Sequence, residues 1–172
     1  MTSAKLFYYF FAALAAVGLA LSGWSHGAAT LGKPGPLGNS AWLLHVGIFV
    51  VWLPAALIAP RLTRAVDPKD FWSATFHGCP RWLRYALKGL TVYAVLNLLL
   101  VFYVLPPREE VFRIPITPHA VRGFSGYWML FYGAAMVLLV SAARLKERRC
   151  PKGHLVGPLA QTCEKCGYLW NS

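Results

Sequence analysis

The feature that most constrains this chain is a set of long segments without charged side chains. No Asp, Glu, Lys or Arg occurs between Lys5 and Lys33, and the stretch Leu6 to Leu21 is entirely apolar or small. A helix needs about 17–25 such residues to cross the hydrocarbon of a bilayer. The whole chain is 57% hydrophobic and 13% charged, which is unusual for a soluble domain. The sequence therefore predicts an integral membrane protein.

Four apolar segments predict four transmembrane helices, so the expected fold is an all-α membrane region over residues 1–149. The spans cover approximately residues 6–24, 41–60, 85–105 and 123–143, each close to the length that a bilayer requires. Pro54 removes a backbone hydrogen bond inside the second span and predicts a kink. In the third span, Lys88 can extend its ammonium group toward the membrane surface. Asn97 in the same span is expected to bond a neighbouring helix.

The first span has a rival interpretation as a cleaved signal peptide. Lys5 precedes an apolar stretch, and Ala20 and Ser22 resemble a cleavage site. We favour a retained helix because the stretch is long for a signal peptide. Ala12, Ala16 and Ala20 also recur every four residues, a spacing typical of a closely packed helix face.

The distribution of Lys and Arg predicts the orientation of these helices. Six of them lie in the segment Arg61–Lys88 and six from Arg144 onward, against one in the first loop and three in the loop before the fourth span. Cytoplasmic loops carry the excess of positive charge, so we expect both termini to be cytoplasmic in a bacterial inner membrane. The segment 61–88 mixes cations with aromatic residues, which predicts a short amphipathic helix near Pro68 and binding of anionic lipids. The net charge of +11 is thus assigned to the membrane surface and not to nucleic acid.

Residues 150–172 carry side chains of the types that bind metals. The chain reads Cys-Pro-Lys-Gly-His from Cys150 to His154, and Cys-Glu-Lys-Cys-Gly from Cys163 onward. Three thiols and one imidazole form a tetrahedral zinc set. The two residues between Cys163 and Cys166 allow a tight turn to aim both sulfurs at one ion. The sequence therefore predicts a metal-binding tail.

This pattern, CPxGH followed by CxxCG, resembles the zinc-ribbon or zinc-knuckle modules found at the ends of bacterial proteins. The resemblance covers residues 150–168 and implies a structural zinc site of the interaction type. It departs from the commoner CxxC form in its first half, where Gly153 takes the third place and His154 the next. A closed set of four protein ligands argues against catalysis by the ion. Iron in place of zinc remains an alternative, as does a disordered tail with unrelated cysteines.

Three histidines, His26, His45 and His119, are expected near the outer membrane face. They lie in the first loop, near the outer end of the second span and just before the fourth span. Imidazoles from separate helices are what haem iron or a copper ion would need. A haem or copper site is therefore an alternative to hydrated histidines at the level of the lipid headgroups.

Together these features predict a non-enzymatic membrane protein, an anchor or accessory subunit of a larger complex whose tail binds a protein partner. One alternative is a membrane redox or metal-handling subunit that uses the outer histidines. Another is a small-solute or lipid transporter or enzyme. Transport is disfavoured because no predicted span holds a carboxylate. Acid–base catalysis is disfavoured because Glu109 and Glu110 are adjacent in a loop and do not converge on a substrate.

Overall fold

The computed structural model describes residues 3–33, 35–63, 68–104, 117–145, 148–156 and 162–170. Its elements are α1 (Ser3–Thr30), α2 (Trp42–Leu62), α3 (Phe71–Thr75), α4 (Arg81–Leu99), α5 (Pro118–Arg144), β1 (Arg148–Arg149) and β2 (Leu155–Val156). Short 3-10 turns, Gly38–Ala41 and Pro68–Asp70, lead into α2 and α3, and a π-helical turn, Leu100–Val104, follows α4. The membrane region is thus helical, as predicted, and the short helix expected after residue 67 is α3.

Three stretches are long and apolar enough to cross a membrane: α1, the segment Gly38–Pro60, and α5. They indicate a membrane protein. The segment predicted as the third span is also helical, but its helix α4 begins at Arg81. Arg81 and Arg84, which we expected in an interfacial loop, therefore stand on the helix. Pro80 explains the early start, because its fixed φ suits the residue just before a helix.

Helix α5 begins earlier than the predicted boundary at residue 123. The Thr117 hydroxyl accepts a hydrogen bond from the Ala120 backbone N–H at 3.2 Å, and Pro118 occupies the first turn. A hydroxyl cap followed by proline is a favoured helix start. The end of the expected polar loop is therefore helical, and His119 lies on the first turn of α5 instead of before it.

Helix α5 is the central helix, with α1, α2 and α4 packed around it. It packs on α1 at Gly18, where the Tyr132 ring occupies the space that a side chain would need. The predicted alanine face of α1 was wrong, since Ala16 is half-buried and Ala20 is exposed. The buried positions instead follow the helical repeat of 3.6 residues. Residues spaced exactly four apart rotate gradually around the helix and do not stay on one face. They are Ala12, Ala15, Gly18, Ser22, Ser25, His26 and Ala29.

Hydrogen bonds from side chain to backbone join the other helices to α5. Trp52 on α2 donates its indole N–H to the Phe131 carbonyl oxygen at 3.1 Å. Helix α2 itself continues through Pro54. On α4, Asn97 donates its amide to the Arg122 carbonyl oxygen at 3.0 Å. The predicted bond between Asn97 and a neighbouring helix is therefore present.

Candidate metal centre

Two tight turns at the C-terminal tail aim four metal-ligand side chains at one point. In the first, the Gly153 N–H donates to the Cys150 carbonyl oxygen at 2.8 Å. In the second, the Gly167 N–H donates to the Cys163 carbonyl oxygen at 2.7 Å. Both glycines have positive φ, +80° and +68°, a region that residues with a Cβ rarely adopt. The glycines of the two motifs thus serve the backbone turns.

Short antiparallel pairings hold each turn. Strands β1 and β2 pair Arg148 with Val156 and Arg149 with Leu155, so they flank the first turn. A single bridge, Thr162 with Leu169, flanks the second. Each half is therefore a small hairpin with its ligands at the turn.

The four ligand atoms lie within 4.8 Å of one another, and they belong to Cys150, His154, Cys163 and Cys166. Cys166 Sγ is 3.6 Å from Cys150 Sγ, and His154 Nδ1 is 3.5 Å from Cys150 Sγ and 3.8 Å from Cys163 Sγ. Zn–S and Zn–N bonds of about 2.3 and 2.0 Å give tetrahedron edges of roughly 3.5–3.8 Å. These three separations fit those edges, so the group can hold a metal ion such as zinc.

The protonation of the thiols also favours a bound cation. Burial would raise the pKa of Cys163, but hydrogen bonds with Cys166, with the backbone of Lys165 and Cys166, and with His154 lower it to about 6. A backbone hydrogen bond at Tyr168 lowers the pKa of Cys166, yet burial and the sulfurs of Cys163 and Cys150 raise it overall. Ionisation of one thiol therefore disfavours ionisation of its neighbours, and a bound divalent cation would offset the repulsion between the thiolates.

Aromatic side chains connect the two hairpins beside the ligands. The Tyr168 and Trp170 rings meet edge to face at 5.1 Å, and the Arg148 guanidinium lies 4.5 Å from the centroid of the Trp170 ring. Such a cation–π contact contributes about 0.5–1 kcal/mol at an exposed site. Trp170 thus packs on the tail itself.

His26 is held inside the helix bundle by hydrogen bonds to both ring nitrogens. Its Nδ1 lies 2.7 Å from Ser125 Oγ, and its Nε2 contacts the Tyr93 hydroxyl. Ser125 Oγ also lies 3.2 Å from the Arg122 carbonyl oxygen, so a hydroxyl group engages each ring nitrogen in either tautomer of His26. Neither nitrogen is left for a metal ion. Tyr93 and Ser125 were not predicted as partners of His26. The available signal was that each carries a polar group within an apolar segment.

His45 and His119 have different surroundings from His26. The Trp128 indole N–H donates to His45 Nδ1 at 3.3 Å, so a neutral His45 carries its proton on Nε2 and offers no second lone pair. The His119 Nε2 atom is buried and has no hydrogen-bond partner. Within the described parts of the chain, the C-terminal four are the one group of three or more potential ligands that converge. The three outer histidines are not such a group.

No family model matches the chain, and comparisons with curated proteins and with solved structures found no match. The fold and the C-terminal site therefore define the class. It is a helical membrane protein whose tail carries a Cys₃His group able to hold a metal ion.

Proposed function

We propose that this chain is a non-enzymatic membrane protein of the bacterial inner membrane, an anchor or accessory subunit of a larger complex. The observation that carries the proposal is the Cys₃His group at the tail, because four protein ligands fill a tetrahedral shell. Catalytic zinc keeps a position open for water or substrate. A closed site stabilises a small fold, and small zinc folds commonly present a binding surface.

The ion that we propose for the tail is zinc. Three thiolates and one imidazole are donors that zinc prefers, and the ligand separations match its bond lengths. The His154 backbone N–H points to Cys150 Sγ at 3.3 Å, an outer-shell hydrogen bond of the kind that orients metal ligands. Iron can occupy the same type of site, so metal analysis must distinguish the two.

Four spans, with both termini in the cytoplasm, are the topology that we propose. Helix α4 lies against α5 from Leu83 to Asn97 and its polar Asn97 is satisfied by α5, as expected of a helix within a membrane bundle. The cation-rich segment 61–88 and the tail then share the cytoplasmic side. Exposed Trp72 and Trp82 in that segment suit a membrane interface with anionic lipids.

The partner that we propose for the tail is a cytoplasmic protein. Leu155, Tyr168 and Leu169 are exposed on the tail, and tyrosine is enriched among the residues that carry binding energy at protein interfaces. The alternative of a redox or haem-binding subunit lacks comparable support, because both ring nitrogens of His26 and the Nδ1 atom of His45 form hydrogen bonds within the bundle.

The test is elemental metal analysis and native sizing of the protein purified in mild detergent. Cys163→Ser is the variant, and Cys79→Ser is its matched control, since Cys79 is a buried cysteine outside the tail. We expect one zinc per chain in the native and control proteins and none in Cys163→Ser. We also expect the native and control proteins to run as a complex larger than the single chain, and Cys163→Ser to lose that complex. An absorption spectrum of haem, or a chain that purifies alone with its zinc bound, would contradict the proposal.

A further inference from the structure

Arg122 stands where three helices of the bundle meet. It lies on the second turn of α5, and its carbonyl oxygen accepts a hydrogen bond from the Asn97 amide of α4. Its guanidinium is close enough to His26 of α1 for its charge to act on the imidazole. These contacts place Arg122 at the junction of α1, α4 and α5.

The Arg122 side chain is held on one side by the bundle and is accessible on the other. Its Nε atom is buried and has no hydrogen-bond partner, and a buried donor without an acceptor costs free energy. Its terminal nitrogens are not among the buried atoms of this kind, and the side chain as a whole is half-buried. A guanidinium with one desolvated side attracts an anion more strongly than it would in water.

The described part of the chain supplies no such anion. Its acidic side chains are Asp70 and Glu164, and neither stands on α1, α4 or α5. Glu109 and Glu110 belong to the segment 105–116, which lies outside the described residues. Among the described residues, therefore, nothing competes with an external anion for the Arg122 guanidinium.

The position of Arg122 along α5 indicates which anion it meets. Helix α5 is long and apolar enough to cross a membrane, and Arg122 and Arg144 are 22 residues apart with no charged residue between them. That spacing corresponds to about 33 Å of helix, against a hydrocarbon thickness of about 30 Å. When Arg144 lies at one headgroup layer, Arg122 therefore lies at the other. The anionic groups at that level are the phosphates of the lipids.

We propose that Arg122 binds the phosphate group of a membrane lipid at the end of the bundle opposite Arg144, which is the outer leaflet in the proposed topology. A guanidinium presents a planar fork of N–H donors that matches two phosphate oxygens. Burial of Nε holds the side chain in place, so less conformational freedom is lost on binding. This site goes beyond the proposed function, since it requires neither a protein partner nor the metal.

The test is native mass spectrometry of the full-length protein in detergent, with dioleoyl-phosphatidylglycerol as the probe. Separate arms use dioleoylglycerol, which lacks the phosphate, and inorganic phosphate, which lacks the acyl chains. We expect Arg122→Gln to weaken the binding of one phosphatidylglycerol per chain at least about tenfold. Dioleoylglycerol should give no adduct that depends on Arg122.

Lys33→Gln is the matched control. It also removes one positive charge, from an exposed position just after α1, at the end of the bundle where α1 meets Ser125. It should leave the phosphatidylglycerol adduct unchanged, because Arg122 and not the net charge of this end holds the phosphate. An equal loss in both variants would overturn the inference.

Folding and binding are separable in this experiment. Arg122→Gln removes an unsatisfied buried nitrogen, so the unfolding temperature in lipid-free detergent should not fall. The rise in that temperature on adding phosphatidylglycerol should be smaller than in the native protein. An adduct indifferent to Arg122→Gln, or binding of inorganic phosphate in place of the lipid, would refute the lipid site. Coupling in a double-mutant cycle between Arg122→Gln and the joint replacement of Glu109 and Glu110 by Gln would also refute it, since the guanidinium would then be paired within the chain.

Discussion

Replacing Gly47 by alanine tests the contact between the Tyr132 hydroxyl on α5 and the backbone of α2. The Tyr132 hydroxyl donates to the Leu44 carbonyl oxygen at 2.7 Å. A methyl group at Gly47 would overlap that hydroxyl, whereas its distance to the Tyr132 Cζ atom would be an ordinary 3.6 Å. A methyl group at Gly18 would instead overlap the carbons of the ring. The two glycines therefore contact different parts of one side chain, and removing the hydroxyl should relieve only one of them.

The expected magnitudes follow from these contacts. Overpacking costs about 1–3 kcal/mol, so Gly47→Ala should lower the free energy of unfolding by that amount. Tyr132→Phe alone loses one hydrogen bond, worth about 0.6 and at most about 1.7 kcal/mol in helical membrane proteins. In the Tyr132→Phe background, Gly47→Ala should be close to neutral, and the coupling energy is then on the order of 1–3 kcal/mol. Gly18→Ala should cost the same in both backgrounds.

The assay is a double-mutant cycle on unfolding in mixed micelles of a mild detergent and dodecyl sulfate, followed by tryptophan fluorescence and circular dichroism. Gly18→Ala is the matched control, since it inserts the same methyl group against the same tyrosine. If Gly47→Ala destabilised both backgrounds equally, the placement of the Tyr132 hydroxyl between Leu44 and Gly47 would be refuted. The same conclusion would follow if Tyr132→Phe rescued Gly18→Ala.

Three further outcomes follow from the structure. Metal affinity of the tail should fall as pH falls, by up to about tenfold per unit for each proton that a ligand takes up, measured with a zinc indicator. Burial raises the pKa of Cys79, and the positive charges of Arg84 and Arg144 partly offset this effect. Its alkylation at pH 7 should therefore be slower than that of a free thiol and should accelerate with rising pH. Mass spectrometry of the metal-loaded protein measures the rate, and a rate equal to that of a free thiol would contradict this prediction. Tyr93→Phe leaves His26 Nε2 without its hydrogen-bond partner and should cost about 0.6–1.7 kcal/mol of unfolding free energy, and an unchanged value would contradict the bond.

The helices could be predicted from the sequence because they are local features. Runs of apolar residues indicate spans whatever their neighbours, and the metal ligands lie within 17 residues, Cys150 to Cys166. Boundaries were less accurate. The polar residues through Arg122 indicate a loop, although Thr117 and Pro118 are themselves a signal for a helix start. The charges of Arg81 and Arg84 indicate a loop, whereas Pro80 just before them indicates a helix start, and the structure follows Pro80.

The surroundings of the histidines could not be predicted in this way. Ser125 and His26 are 99 residues apart, and Trp128 and His45 are 83 apart, so no local pattern connects them. A histidine near a membrane surface suits a metal ligand or a hydrogen-bonding partner equally well in sequence. Only the rotation of α1 and α2 against α5 decides which atoms its ring nitrogens meet, and that rotation depends on packing between distant segments.

The bundle and the tail are stabilised by different means. Fully buried side chains such as Trp128, Leu139 and Val51 form the core of the bundle. In the described parts of the tail, 148–156 and 162–170, the buried residues are Cys150 and Cys163, both members of the candidate metal group. A segment of this size cannot bury enough apolar surface to fold alone, so we expect a bound metal ion to supply that free energy. We therefore expect a chelator to unfold the tail, seen as loss of its tyrosine and tryptophan signals, while the helical circular dichroism of the bundle persists. Cooperative loss of both would show that the tail folds on the bundle instead of around a metal.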